Sequence, residues 1–165
     1  TRSKANSSSD SCKQYNLFHL LLNFYYNTSK LKKDFENQKM MLRRRYLIEN
    51  GYDISNKTDE QIKKMLPDNQ LNALYNYYLR DNNKTAGIQD VVEGISNCDI
   101  HVRWGHGKEY WNRSNREEEY ASEAWANILG SYSDEETYEL MKEYFPNAMR
   151  MQQTIIQQYL KKVSK

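Results

Sequence analysis

The sequence has few of the features that mark disulfide-rich, secreted or membrane proteins. Its 165 residues include only two cysteines, Cys12 and Cys98, which form no CxxC pair; this excludes a dense disulfide scaffold and favours free thiols in a reducing compartment. The longest apolar run, residues 17–22, is interrupted by His19 and is far too short to span a bilayer. Because no stretch resembles a signal peptide, we predict a soluble protein with no membrane partner.

Sustained alternation of apolar and polar residues, the pattern of a half-buried strand, is also missing, apart from a short set at Ile100, Val102 and Trp104. Apolar residues recur instead at helical spacing, for example over residues 31–49, 59–66, 71–79 and 87–96. We therefore predict a mainly α fold, a single compact helical domain of about seven helices. At most, a small strand pair is expected near residues 100–104.

The composition divides the chain into three parts. Residues 1–11 are polar and serine-rich and predict a flexible tail; residues 12–84 predict a helical N-terminal part, and residues 85–165 a helical C-terminal part, with both in one globular unit. The segment Cys12 to Tyr26 is apolar nearly all round, which predicts a helix buried in the core or against a partner. Because the first residue is threonine, we expect the chain to be a fragment or a processed product of a longer protein.

Capping signals mark several predicted helix starts. Three have the capping-box spacing, in which a hydroxyl residue precedes a Glu or Gln by three positions: Thr58 with Gln61, Ser114 with Glu117, and Ser133 with Glu136. Pro146 is expected to end one helix and Asn147 to cap the last.

Positive charge is concentrated in the N-terminal half. Residues 1–84 carry 15 Lys and Arg against 9 Asp and Glu, whereas residues 85–165 carry 9 against 13; the overall net charge of +2 does not by itself indicate nucleic-acid binding. Neighbours within the run Arg43-Arg44-Arg45 point about 100° apart on a helix, so at most two could follow one phosphate backbone. We predict that the three arginines lie on a solvated or salt-bridged face of the helix. In the alternative interpretation, Arg43 and Arg44 contact nucleic acid or an acidic partner.

The most unusual chemistry lies in residues 100–126, IHVRWGHGKEYWNRSNREEEYASEAWA, which contain two of the three histidines and all three tryptophans. Gly105 and Gly107 flank His106 in a predicted loop, residues 98–112, and leave its imidazole unshielded. The consecutive glutamates 117–119 follow in the first turns of a predicted helix, where carboxylates interact favourably with the macrodipole. The pattern therefore places an exposed imidazole near carboxylates.

A metal site is one interpretation of this stretch. Its ligands would be His106 with Cys98, His101 and one carboxylate, drawn from Glu118, Glu119 and Glu123. A helical HExxH motif is absent, however, and the spacing of these residues is a weak signal. We therefore predict no cofactor.

A metal-free hydrolase or nuclease is a second interpretation. His106 would act as general acid or base with Glu118 or Glu119 as its partner, and an anion would be stabilised by Tyr110 or Lys108. Against it, the sequence has neither a GxSxG nucleophile motif nor a phosphate-binding loop.

The third interpretation is structural, and we favour it. Here His106, Tyr110 and Trp111 form a turn that packs on a helix running through residues 120–125, because aromatic rings near small helix residues usually indicate packing. The imidazole would be hydrogen-bonded to Glu118 or Glu119 at the start of that helix.

Five short pieces in residues 85–160 occur in a specific order: Gly87-Ile88, Trp104-Gly105-His106, Tyr110-Trp111, Glu118-x-Tyr120-Ala121 and Tyr144-Phe145-Pro146-Asn147. Together they resemble the C-terminal region of minor head proteins of tailed phages and prophages, the Mu F-type head morphogenesis group, with Tyr120 where that group is expected to have Phe.

The resemblance implies a segment of a phage or prophage minor head protein that acts through protein–protein contacts, in the virion or the bacterial cytoplasm. Its expected partners are portal or capsid proteins, bound through Tyr110 and Trp111, and nucleic acid could contact the basic N-terminal half. Two alternatives remain open. One is an effector or toxin-like hydrolase or nuclease domain carried by such a protein; the other is a small phage-encoded inhibitor or adaptor.

Overall fold

The structure is a computed structural model that describes residues 28–112 and 114–164. The predicted tail, His19 and the predicted helix from Cys12 to Tyr26 lie outside the described residues. The described part contains eight α-helices: α1 (Ser29–Glu49), α2 (Asp59–Met65), α3 (Leu71–Leu79), α4 (Ala86–Ile95), α5 (Lys108–Trp111), α6 (Arg116–Ser131), α7 (Glu135–Tyr144) and α8 (Pro146–Val163). Two single 3₁₀ turns, Asp68–Gln70 and Asn83–Thr85, precede α3 and α4. The prediction of a mainly α fold is confirmed.

The predicted strand pair near residues 100–104 is not formed, and no strand occurs in the described ranges. The backbone of this segment bonds to helix side chains instead of to another strand. His101 donates its N–H to Asn72 Oδ1 and accepts from Asn76 Nδ2 at its carbonyl, and the N–H of Trp104 donates to Gln89. These side chains supply the hydrogen bonds that a strand partner would otherwise provide.

The main core lies where α4 packs along α6, the most extensive helix pair of the described fold. Apolar side chains of both helices are completely or almost completely buried there: Ile88, Val91 and Val92 from α4, and Tyr120, Ala121, Ala124 and Ile128 from α6. A Cβ on Gly94 would lie 2.7 Å from Tyr120 Cβ, so this glycine lets the two helices approach closely. The polar edge of this helix pair carries the candidate site.

The arginine run on α1 is engaged within the fold. Arg43 is only 1% exposed; its Nε donates to the carbonyl of Leu66 at 2.6 Å, and its guanidinium pairs with Asp68. Arg44 pairs with Asp59 at 2.7 Å, and Arg45 with a glutamate of its own helix. Arg43 therefore joins α1 to the end of α2 and has no surface left for a phosphate.

The helix starts agree only partly with the predicted capping boxes. Thr58 and Gln61 form the predicted box at the start of α2. At α7 the cap is Asp134, whose carboxylate accepts from the N–H of Thr137, and at α6 the cap position is Asn115, without a side-chain cap bond. Both predicted boxes were therefore placed one residue too early; an Asp or Asn next to the serine occupies the cap position, for which these residue types are equally suited.

The start of α8 is capped from another helix. The preceding helix α7 ends at Tyr144, just before Pro146, as predicted. Pro146 also opens α8, which suits a residue without an N–H, so the prediction that Asn147 caps the last helix is wrong. Asp34 of α1, which is completely buried, accepts hydrogen bonds from the N–H groups of Asn147 and Ala148 at 3.0 and 2.9 Å. This carboxylate joins the first and last described helices.

None of the described helices combines the length and apolar character needed to cross a membrane.

Candidate functional site

Helix α4 carries three polar side chains that are almost completely buried, Gln89, Asp90 and Glu93. Each of them contacts a different part of the chain between α4 and α5. Gln89 Oε1 accepts from the N–H of Trp104 at 2.9 Å, while Asp90 and Glu93 contact the two histidines of this segment. The loop is thus folded onto the polar face of one helix.

Glu93 is the centre of this arrangement and has no exposed surface. Its Oε2 accepts from the N–H of Gly107 and from Trp111 Nε1, both at 2.9 Å, and its Oε1 bonds to His101 Nδ1. Burial raises the pKa of the Glu93 carboxyl. Hydrogen bonds from His101, Gly107 and Trp111 together lower it by more than burial raises it, so the pKa is below its usual value. Glu93 is therefore an ionised carboxylate inside the protein.

The glycines on either side of His106 fit this carboxylate. A Cβ on Gly105 would lie 2.6 Å from the carboxyl carbon of Glu93, so a side chain has no room there. Gly107 has φ +86°, a conformation that glycine adopts without strain, and this turns its N–H toward Glu93. The Gly-His-Gly pattern lets the loop close around Glu93 and leaves His106 on its outer side.

His106 lies between two carboxylates from different helices. Its Nε2 is 2.9 Å from Asp90 Oδ2 on α4 and 3.5 Å from Glu123 Oε1 on α6. Tyr110 contacts both Glu123 and His106. Its hydroxyl donates to Glu123 Oε1 at 2.8 Å, and the centre of its ring lies 4.1 Å from the centre of the imidazole. The His106 side chain is 40% exposed, so the cluster opens to solvent at the imidazole.

Asp90 is the least satisfied member of the cluster. Burial raises the pKa of its carboxyl; His106 lowers it, Glu123 and Glu93 raise it again, and the result is a pKa of about 7. Its Oδ1 is buried and has no hydrogen-bond partner among the described residues. A buried carboxylate oxygen without a donor is uncommon in folded proteins and calls for an explanation.

The three side chains have the composition of a metal site. One ligand atom from each of Asp90, His106 and Glu123 lies within 4.8 Å of the others, and this is the one such group in the described part of the chain. Two carboxylates and an imidazole are ligands that first-row divalent ions accept.

The predicted carboxylate partners of His106 were Glu118 and Glu119, but the imidazole contacts Asp90 and Glu123 instead. Glu123 follows Glu119 by one helical turn on the same side of α6, and that extra turn brings it level with the loop. Glu118 is exposed, and Glu119 accepts from Asn115 Nδ2 at 3.1 Å.

The other predicted site residues lie at different depths. Trp111 is 1% exposed and supports the loop from inside, whereas Tyr110 is half-buried beside His106. Cys98 is half-buried, burial raises the pKa of its thiol, and it lies outside the metal-type group, as does His101.

Asp90 and Glu93 were missed as site residues. The segment reads as a short helix whose apolar residues form a buried face, and carboxylates in such a helix are ordinarily assigned to the solvent side. A signal was nevertheless present: two acidic residues three positions apart share one side of a helix, and this helix is so apolar that little of its surface can face water.

Comparison of the chain with protein-family models, with curated proteins and with solved structures finds no match.

Proposed function

We propose that this chain is a metal-dependent hydrolase domain with Asp90, His106 and Glu123 as the ligands of a divalent ion. The observation that carries the proposal is the buried, unpartnered Oδ1 of Asp90, next to an imidazole and a second carboxylate. Burial and, after it, repulsion from the carboxylates of Glu123 and Glu93 raise the pKa of Asp90 to about 7. A bound cation would remove that repulsion and supply the missing partner.

Three protein ligands fit a catalytic metal site better than a purely structural one. Structural zinc sites normally use four protein ligands, whereas catalytic sites use three and leave a position for water or substrate. An ion held this way lowers the pKa of a bound water molecule and polarises a carbonyl or phosphoryl group. The 40% exposure of His106 gives a substrate access to this side of the cluster.

Calorimetric titration of chelator-treated protein with Zn²⁺ and Mn²⁺ tests the metal site. We expect one ion per chain, and an affinity at least roughly tenfold lower in each of Asp90→Asn, His106→Gln and Glu123→Gln, since even residues that only support metal ligands change affinity by about that factor. Glu118→Gln, an exposed carboxylate on the same helix as Glu123, is the matched control and should bind as the parent does.

A parent protein that takes up no ion would overturn the metal site and leave the cluster as a structural ion pair. If an ion does bind, carboxylic and phosphate ester substrates are assayed with and without it. Hydrolysis that depends on the ion and on His106 supports the proposed enzyme; binding without any turnover limits the site to a structural or sensory ion.

For the biological setting we propose a segment of a phage or prophage minor head protein, as the sequence resemblance implies. The supporting observation is that motif pieces distant in sequence meet in space. Gly105 and Trp111, from two of the pieces, both contact Glu93, and a Cβ on Gly94 would meet both the Trp111 ring and Tyr120 of a third piece. A hydrolase domain carried by such a protein combines this setting with the site.

Co-purification tests the setting. The chain is tagged and expressed together with the proteins encoded beside its gene, and recovery of a portal or capsid protein with it is the expected result. Failure to recover either one in a preparation that still binds the metal ion would separate the site from the phage setting.

A further inference from the structure

A second histidine outside the metal-type cluster is held unusually firmly for an exposed residue. The His101 side chain is 57% exposed, yet its backbone N–H donates to Asn72 Oδ1 at 2.9 Å and its carbonyl accepts from Asn76 Nδ2 at 2.8 Å. Its ring bonds through Nδ1 to the buried carboxylate of Glu93. Both the backbone and the ring of His101 are therefore held in place, although the side chain is exposed.

The bond to Glu93 decides which ring nitrogen is available. An ionised carboxylate only accepts hydrogen bonds, so Nδ1 must donate. Glu93 is kept ionised by the donors around it, since Oε2 already accepts from Gly107 and Trp111. The neutral ring therefore carries its proton on Nδ1 and its lone pair on Nε2, and no described residue bonds to Nε2.

We propose that His101 is a proton-transfer residue positioned by Glu93, and that it acts on the hydroxyl group of a bound ligand or on water. Nε2 accepts the proton while Nδ1–H stays bonded to Glu93, whose negative charge then faces the imidazolium. The proton is afterwards returned to a leaving group or to solvent. An oriented carboxylate that holds the tautomer and stabilises the cation is the arrangement by which imidazole bases are activated.

The residues after His101 offer a surface for a ligand. Trp104 is exposed, and the guanidinium of Arg103 lies 4.8 Å from the centre of its ring. A cation stacked on an exposed aromatic ring suits a planar or anionic group. The ligand class expected at this site is therefore one that carries both a hydroxyl group and an anionic or planar moiety.

The tautomer is tested first, in the unaltered protein. Long-range ¹H–¹⁵N NMR of the imidazole rings at a pH where His101 is neutral should show the proton on Nδ1. A neutral His101 protonated on Nε2 would overturn the proposal, whatever happens at the metal-type cluster.

The proton transfer is tested on chelator-treated protein with 4-nitrophenyl acetate as the probe. His101 Nε2 removes a proton from water as the water oxygen attacks the acyl carbon; 4-nitrophenolate leaves and acetic acid forms, and both the proton held by His101 and the carboxyl proton of acetic acid pass to solvent. We expect His101→Gln to lower the rate roughly tenfold or more, and Glu93→Gln to do the same, because an amide N–H donated to Nδ1 would move the ring proton to Nε2. Glu109→Gln, an exposed carboxylate on α5, is the control and should hydrolyse at the parent rate.

An unchanged rate in His101→Gln would overturn the proposal. Because metal is absent throughout, this result is independent of whether Asp90, His106 and Glu123 bind an ion. Asn72→Ala provides a milder variant should Glu93→Gln fail to fold: it loosens the backbone of His101 without touching the ring, and an intermediate rate is expected.

Discussion

Two carboxylates on α4 have nearly the same burial and opposite electrostatic behaviour. Glu93 is completely buried, yet its pKa is lowered; Asp90, one turn before it, has its pKa raised to about 7. The difference lies in the number of donors. Glu93 accepts hydrogen bonds from the imidazole of His101, the indole N–H of Trp111 and the backbone N–H of Gly107. Asp90 has one oxygen without a donor and faces the carboxylate of Glu123.

The two carboxylates therefore differ in their capacity for a ligand: Glu93 is fully hydrogen-bonded, whereas Asp90 has an oxygen available. A buried charge that is fully hydrogen-bonded fixes its surroundings and has nothing left to bind with. A buried charge that is only partly paired destabilises the fold until something neutralises it. Glu93 holds the loop against α4, whereas Asp90 lies beneath the exposed imidazole of His106.

The largest effect is expected from removing the carboxylate that is fully paired. Glu93→Ala leaves the indole N–H of Trp111, the N–H of Gly107 and the ring of His101 without their acceptor, and should lower the free energy of unfolding by about 3–5 kcal/mol. Urea unfolding followed by tryptophan fluorescence measures it, with the exposed Glu109→Ala as control. A loss below about 1 kcal/mol would show that the loop is held by other contacts.

A smaller loss is expected where a side chain is forced against that carboxylate. Gly105→Ala should cost about 1–3 kcal/mol, because its Cβ would overlap the Glu93 carboxyl group. Gly130→Ala is the matched substitution: this glycine is within α6 and a Cβ there meets nothing within 4 Å, so a gain of up to about 1 kcal/mol is expected. Thermal unfolding measures the change in stability of both variants. Equal changes in Gly105→Ala and Gly130→Ala would contradict the prediction.

The smallest effect is expected at the incompletely paired carboxylate, and it has the opposite sign. Since the folded pKa of Asp90 is raised from 3.8 to about 7, its ionisation costs stability progressively as pH rises through that interval. Metal-free Asp90→Asn should therefore be more stable than the parent by about 1 kcal/mol at pH 8, less than the full shift because the interaction with His106 weakens. The gain should disappear near pH 4.

Thermal unfolding at several pH values measures this difference, with Asp99→Asn as an exposed control. A destabilised Asp90→Asn protein at pH 8 would mean that Asp90 is as well satisfied as Glu93.

Local sequence signals predicted much of the helical framework. The pattern over residues 71–79 matches α3, and the box at Thr58 matches the start of α2, because spacing and capping act within a few residues. Helix α5 was missed: its four residues have no periodicity of their own, and their position depends on the contact between Trp111 and Glu93, which are 18 positions apart.

The sequence predicted the histidine of the candidate site but not its carboxylate partners. The flanking glycines identified His106, but its carboxylate partners depend on how α4 lies against α6, which no local pattern encodes. Asp90 was hidden by the apolar character of its helix, and Glu123 was one candidate among several glutamates on α6.

The cap that Asp34 provides for α8 also sets an order of events during synthesis. Asp34 leaves the ribosome more than a hundred residues before Asn147 and Ala148, whose backbone N–H groups later donate hydrogen bonds to its carboxylate. Until then its carboxylate has to remain in water, because burying it without donors would cost several kcal/mol. Helix α1 can therefore complete its packing only after α8 has begun to form, and nascent chains stalled before residue 147 are expected to remain sensitive to protease within α1.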